Sequence, residues 1–282
     1  MADIVWYPGH MAKAKRLIKE ALPNIDMVIE LLDARAPISS TNPDFKNLFC
    51  GKPTLTLLTK CSLADPVETQ KFQMRLRSSG REVIAIDCKS GNGIKNINAG
   101  IRALMAEKLA RDAARGIKRP IRAMVAGITN VGKSTLINTL SGTKKAVAQD
   151  RPGVTRHNSR ISIPSLGLEL TDTPGILWHK FDDQLVGIKL ACLGSIKDDI
   201  LDTLELSCRL IGLIRENSAE CLVERFKIEL CDEDTDFEVF EKIARRRGFI
   251  RSGGVIDEDR AAGVILDEFR AGKIGRITLD RA

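Results

Sequence analysis

Aromatic side chains are scarce in this 282-residue chain: phenylalanine, tyrosine and tryptophan make up 4%, with a single tyrosine. That scarcity argues against a platform on which single-stranded bases stack. Three histidines occur, none four residues from another or from a cysteine, so no zinc-ligand spacing is present. The seven cysteines are odd in number, include no Cys-x-x-Cys pair and mostly sit among apolar neighbours, as reduced cytosolic thiols do. No apolar run nears the roughly 18 residues of a membrane span, and the first residues lack the apolar core of a signal peptide. A disulfide scaffold, a zinc module and a membrane partner are thereby excluded, and a soluble cytoplasmic protein is expected.

Positive charge is what the chain has in excess. The formal net charge is +7, and the excess is concentrated locally, which favours a polyanionic partner touched through its phosphates. The length suits one domain of about 170 to 200 residues and a smaller one.

The organising stretch is Gly127-Ile128-Thr129-Asn130-Val131-Gly132-Lys133-Ser134-Thr135, with the Gly-x4-Gly-Lys-Ser spacing of a phosphate-binding loop. Residues 123–126 read as a buried strand leading in, and 134–140 follow at helical period until Ser141-Gly142 stops them. Gly127 and Gly132 let the backbone wrap a polyphosphate, Lys133 adds a point charge, and the Ser134 hydroxyl is placed to ligate Mg²⁺. A nucleotide hydrolase is the reading.

Upstream, Pro8-Gly9 turn the chain into a short basic amphipathic helix ending at Pro23, with Lys13, Lys15, Arg16 and Lys19 on it. Strands are expected at 27–32, 54–58 and 82–86. The first runs into Asp33-Ala34-Arg35-Ala36-Pro37, a charged loop where open α/β sheets place ligands. The others run into Thr59-Lys60-Cys61-Ser62 and Asp87-Cys88-Lys89-Ser90-Gly91. Helices are expected at 66–78 and, unbroken, at 94–115. Strands alternating with helices predict a doubly wound, mostly parallel sheet. Two strands at 159–163 and 168–171 follow, the second ending in Asp172-Thr173-Pro174-Gly175, and from about Leu185 the pattern is helical.

Four of these pieces resemble the elements of phosphate-loop GTPases. Thr59-Lys60-x-Ser62 resembles the guanine-reading Asn-Lys-x-Asp, and Cys88-Lys89 the Ser-Ala-Lys that follows it. Thr155 resembles the switch I threonine over Mg²⁺, and Asp172 to Gly175 the switch II Asp-x-x-Gly. The base-reading elements here precede the phosphate loop, so the domain looks circularly permuted; nearby termini make such a rearrangement compatible with an intact sheet. With Trp6-Tyr7-Pro8-Gly9-His10-Met11, Asp33 to Pro37, Pro152-Gly153-Val154-Thr155 and Gly272-Lys273-Ile274-Gly275-Arg276-Ile277-Thr278, the chain resembles the YlqF/RbgA ribosome-biogenesis GTPases over nearly its whole length.

The resemblance implies a circularly permuted GTPase domain over 1–180, carrying the basic helix, and a smaller all-α domain over 181–282 that binds RNA and the ribosome. It implies GTP and GDP as ligands and hydrolysis coupled to late maturation of the bacterial large (50S) ribosomal subunit by a monomer touching rRNA. Nucleotide contacts fall to Thr59, Lys60, Cys61, Ser62, Cys88, Lys89, Asn130, Val131, Gly132, Lys133, Ser134, Thr135 and Gly175, with Mg²⁺ held by Ser134, Thr155 and Asp172. Asn130 stands where potassium-activated relatives place a K⁺ ligand; a plain loop hydrogen bond is the other reading. Ile176 occupies the place of a water-orienting Gln and cannot do that work. The resemblance implies the histidine of the Pro-Gly-His-Met motif, His10, as the catalytic candidate, a helix cap being its alternative role, while His157 and His179 read as surface residues.

Ser62, where the family has Asp, cannot accept charge-assisted bonds from guanine, a loss that would remove much of the discrimination against adenine. Thr129 for the usual Pro adds a backbone donor. Two other functions remain open at this point: a nucleotide-sensing protein with little turnover, and an ATPase.

Overall fold

The computed structural model describes residues 10–49, 51–142, 159–178, 181 and 183–282, the side chains of His10 and Ser159 excepted. Helix α1 (His10–Ala21) turns Met11, Ala14 and Ile18 inward at helical spacing and leaves Lys13 and Lys19 exposed. Strand β1 (Met27–Asp33) is buried along its whole length, as a central strand covered on both faces must be. The short α2 (Asp44–Leu48), β2 (Thr54–Thr59) and α3 (Pro66–Ser78) follow. Asp65 caps α3 by accepting from the backbone N–H of Val67 (2.7 Å) and Glu68 (3.2 Å), with Pro66 at the first helical position.

After β3 (Glu82–Ala85), the single helix expected over 94–115 is two, α4 (Asn96–Leu104) and α5 (Ala106–Ala114). The break at Met105 (φ −101°, ψ 10°) turns that side chain into the core, where it is buried, whereas α5 buries nothing. Periodicity registers an apolar stripe and not the bend that lets one residue of it reach inward.

Strand β4 (Ile121–Gly127) and α6 (Lys133–Ser141) frame the phosphate loop, and Gly142, in left-handed conformation, ends α6. Strands β5 (Ser159–Ile163) and β6 (Leu168–Asp172) complete a six-stranded sheet of order β3-β2-β1-β4-β6-β5, parallel except for the antiparallel β5 edge. The register sets Asp33 opposite Thr59 and Val125 opposite Asp172, so the carboxyl ends of four strands open on one rim. The order reverses between β1 and β4, the position where open sheets bind ligands.

The remaining chain is helical: α7 (Gln184–Cys192), α8 (Thr203–Phe226), α9 (Asp236–Arg246) and α10 (Glu258–Arg270). Asp202 caps α8, Ser218 kinks it, and Thr235 with Glu238 forms a capping box on α9. Buried Leu210, Ile214, Phe240, Ile243 and Ile265 form the core between α8, α9 and α10. Arg270 docks this unit by donating to the carbonyls of Ala191 and Cys192 at the end of α7 and to Asp198. Residues 276–282 then return to the sheet. The Ile277 N–H donates to the Leu63 carbonyl (3.2 Å), the Leu279 N–H to the Arg35 carbonyl (2.6 Å), and Arg276 to the carbonyls of Cys61 and Ala64.

Candidate nucleotide site

The phosphate loop is built where backbone must approach backbone. A Cβ on Gly127 would stand 2.8 Å from the Leu31 carbonyl oxygen and 2.9 Å from Val131 Cγ1, so only glycine fits. Asn130 (φ 56°) and Gly132 (φ 107°) take left-handed backbone and turn the chain into α6. Lys133 is buried inside the loop, its Nζ donating to the carbonyls of Ile128 (2.6 Å) and Gly127 (3.2 Å). Burial pushes this ammonium down to about 8, opposed by the Asp172 carboxylate and assisted by the charge of Lys60.

Asp172 closes β6 with Oδ2 3.5 Å from Ser134 Oγ, and its Oδ1 is buried with no hydrogen-bond partner among the described residues. Burial raises its pKa, while the charge of Lys133 and bonds from Thr173 and Ser134 act against that rise. An orphaned carboxylate oxygen beside a hydroxyl is the hard oxygen set that suits Mg²⁺. Thr155 lies outside the described residues, as do His157 and His179. Gly175 is held against the loop: a Cβ there would stand 2.7 Å from Thr129 Cα and 2.9 Å from Lys133 Nζ. Ile176 is fully buried, its N–H donating to the Gly127 carbonyl (3.3 Å).

The turn after β2 leans on the same loop. Thr59 Oγ1 donates to the Val131 carbonyl (2.8 Å), and Lys60 Nζ donates to the Asn130 carbonyl (2.7 Å) and pairs with Asp33 Oδ2 at 2.9 Å. Cys61 and Cys88 contribute backbone and packing. Burial raises both thiols, that of Cys88 to about 11, so neither is a thiolate at neutral pH. Ser62 Oγ donates to Asp87 Oδ2, and the other oxygen of Asp87 accepts from the N–H groups of Lys89 (2.7 Å) and Ser90 (3.0 Å). The Lys89 side chain is exposed, and so is Thr135 on the outer face of α6.

Three features escape sequence reasoning. The charges of the loop 33–37 are buried against each other: Asp33 and Arg35 are each 1% exposed and form a two-point pair, Nε to Oδ1 at 2.9 Å and Nη2 to Oδ2 at 2.8 Å. Asp33 serves the site through Lys60. Thr129 and Ser195 exchange side-chain-to-carbonyl bonds, Ser195 Oγ donating to the Thr129 carbonyl at 3.0 Å, and Asn130 Nδ2 donates to the Gly194 carbonyl at 2.7 Å. The phosphate loop is therefore fastened to the turn after α7. The contact of Asp87 with Ser62 is the third, and an acid directly before Cys88-Lys89 was its only sequence signal.

A model described as a 50S ribosome-binding GTPase matches residues 122–225. Ribosome biogenesis GTPase A of Priestia megaterium is 44% identical over 279 residues, covering 98% of this chain and 96% of that protein. The chain belongs to the ribosome biogenesis GTPase A family. Mitochondrial ribosome-associated GTPase 1 of Mus musculus is 32% identical, with 98% of this chain and 90% of that protein covered. Among solved structures, a GDP-bound YlqF matches with TM-score 0.66 and 28% identity over 94% of this chain and 98% of that one. GNP-bound YlqF from T. maritima matches with TM-score 0.65 and 28% identity over 95% and 98%. The family assigns the site to a GTPase with the permuted phosphate-loop fold. No helix among the described residues is long and apolar enough to cross a membrane.

Proposed function

We propose that this GTPase is an assembly factor for the large ribosomal subunit, acting late in its maturation in the bacterial cytoplasm and binding rRNA through basic surfaces. The observation that carries the reading is the site itself: a buried phosphate-loop lysine facing an orphaned carboxylate, in a chain whose family relatives are named for ribosome biogenesis. Lys133 and the loop N–H groups bind the β- and γ-phosphates. Ser134 and Asp172, with Thr155, hold Mg²⁺, which supplies charge neutralisation on the phosphate oxygens when bound. The Thr59, Lys60, Cys61, Ser62 turn and Cys88-Lys89 surround the base.

Ile176 turns inward and leaves water positioning to another group. His10 opens α1. That helix is tied to switch II by side chains: Lys15 pairs with Asp44, the Asp44 N–H donates to Asn42 Oδ1 (3.0 Å), and Asn42 Nδ2 donates to the Ile176 carbonyl (3.1 Å). Docking of the exposed Lys13 and Lys19 on RNA would fix His10 toward the γ-phosphate. The Asn130 amide, oriented by Gly194, is the K⁺ ligand of this reading.

GTP turnover by the full chain, with and without large ribosomal subunits and K⁺, tests the proposal. Stimulation by subunits is expected, and His10→Ala should remove about 10²- to 10⁴-fold of the stimulated rate while leaving nucleotide binding intact. Turnover indifferent to subunits would refute the function; a stimulated His10→Ala rate within about twofold of wild type would remove His10 from the chemistry.

A further inference from the structure

The Ser62 hydroxyl meets a carboxylate at residue 87, and the role drawn from that pair rests on the proposed place of residues 59–62 as the turn that meets the base. Ser62 is half-buried at that turn, Asp87 is 4% exposed beneath it at the end of the neighbouring strand, and the Ser62 hydroxyl donates to Asp87 Oδ2. Asp65, the other acid nearby, is engaged in capping α3 and is excluded.

The direction of the Ser62 hydrogen decides the chemistry. Asp87 Oδ1 accepts from the N–H groups of Lys89 and Ser90, which fixes the carboxylate plane and aims Oδ2 at Ser62. Burial raises the pKa of Asp87, but the bonds from Ser62, Ser90 and Lys89 outweigh it and hold the carboxyl below its ordinary value, so it is ionised at neutral pH. An ionised carboxylate only accepts, and it therefore holds the one hydroxyl hydrogen of Ser62. Both lone pairs of Ser62 Oγ are then left to accept, made more basic by the charge behind them. Guanine presents N1–H and N2–H₂ donors at its pairing edge, whereas adenine presents an N1 acceptor. A hydroxyl left to rotate would serve either base; one pinned by Asp87 serves guanine.

We propose that Asp87 is a specificity-determining positioning residue, which pins the Ser62 hydroxyl as an acceptor and so gives this GTPase selectivity for guanine over adenine nucleotides. Ser62 is the group that touches the base, and Asp87 acts through it. Thr59-Lys60-Cys61-Ser62 then reads guanine without a carboxylate of its own.

The substitution that isolates this role is Asp87→Asn, which keeps Oδ1 for the two backbone donors and turns an NH₂ toward Ser62. That NH₂ donates to Ser62 Oγ and releases the hydroxyl hydrogen toward the base. Affinities for GDP and ADP are measured by calorimetry on the full chain with Mg²⁺, for wild type, Asp87→Asn, Asp87→Ser, the double variant Ser62→Asp with Asp87→Ser, and Lys133→Ala. Wild type should prefer GDP by at least about 100-fold, as two hydrogen bonds assisted by charge imply. Asp87→Asn should lower the GDP-to-ADP ratio by about 10- to 100-fold without weakening ADP, and the transposed double variant should recover the preference that Asp87→Ser loses. A wild type that binds both nucleotides alike, an unchanged ratio in Asp87→Asn, or a parallel loss of GDP and ADP would overturn the inference. Lys133→Ala separates this from the site reading: it should lose both nucleotides together, and intact binding there would mean that the phosphate site itself is misassigned.

Discussion

Asp33→Asn should be among the most costly single substitutions in the GTPase domain, because Asp33 is buried and holds both Arg35 and Lys60. The Arg35 side chain that it neutralises is 2% exposed and, among the described residues, donates otherwise to the Arg270 carbonyl (3.2 Å) and lies over the Phe269 ring, 5.5 Å from its centroid. Removing the carboxylate leaves a buried guanidinium uncompensated, and such breaks cost about 3 to 5 kcal/mol. Lys60, 27% exposed, can turn to water, so its loss of a partner adds little to that cost. For a chain of this size the melting temperature should fall by roughly 6 to 20 °C. Urea unfolding followed by circular dichroism gives the free energy, and a second variant, Arg35→Met on the Asp33→Asn background, should recover part of it by removing the stranded charge.

The pH dependence carries the same sign. Burial raises the Asp33 pKa, but the charges of Arg35 and Lys60 outweigh it and hold the carboxyl well below the usual value of 3.8. Its contribution is present in full above that unfolded-state value and is lost as pH falls toward the folded one. The wild-type advantage over Asp33→Asn should therefore shrink in acid. A loss below about 1 kcal/mol at neutral pH, or an advantage that grows on acidification, would refute the buried-pair account.

Lys133, pushed down to about 8 by burial, must be protonated to meet phosphate, so GDP affinity should fall by up to about tenfold per pH unit above that value. Lys133→Arg should flatten the profile, and a flat wild-type profile between pH 8 and pH 10 would contradict the buried ammonium. Gly175→Ala should weaken GTP binding and cost about 1 to 3 kcal/mol of stability, read by calorimetry and thermal melting, because its methyl would press on Thr129 Cα and Lys133 Nζ. Binding to large ribosomal subunits should weaken steeply with salt, and neutralising Lys13, Arg16 and Lys19 should lower the slope of log K against log salt by up to about one for each phosphate no longer neutralised. At the end of α9, the basic residues Arg245 and Arg246 belong in that test. Arg247 does not: it is held by Glu268 (2.5 Å) and lies 5.9 Å from the centre of the Phe226 ring, so Arg247→Ala should show itself in stability first.

The phosphate loop and the strands and helices around it could be read from the chain because their signals are local, and the permuted GTPase fold followed from the resemblance of those pieces to known GTPase elements. Glycine spacing around Lys133 and apolar runs ending in Thr59, Asp87 and Asp172 can each be read within a few residues, and their order follows from taking them along the chain. What those residues do to one another follows only from the folded chain. Nothing near Asp33 in the sequence reveals that its carboxylate spans Arg35 and Lys60, since Lys60 arrives by strand pairing. The bonds of Thr129 and Asn130 to Ser195 and Gly194 cross more than sixty residues, and those of the tail to the Cys61 and Ala64 carbonyls more than two hundred. Ser62 alone reads as a missing carboxylate. Set against Asp87, 25 residues away on the next strand, it reads as half of a hydrogen-bonded pair, because the parallel register of β2 and β3 brings the two strand ends to one rim.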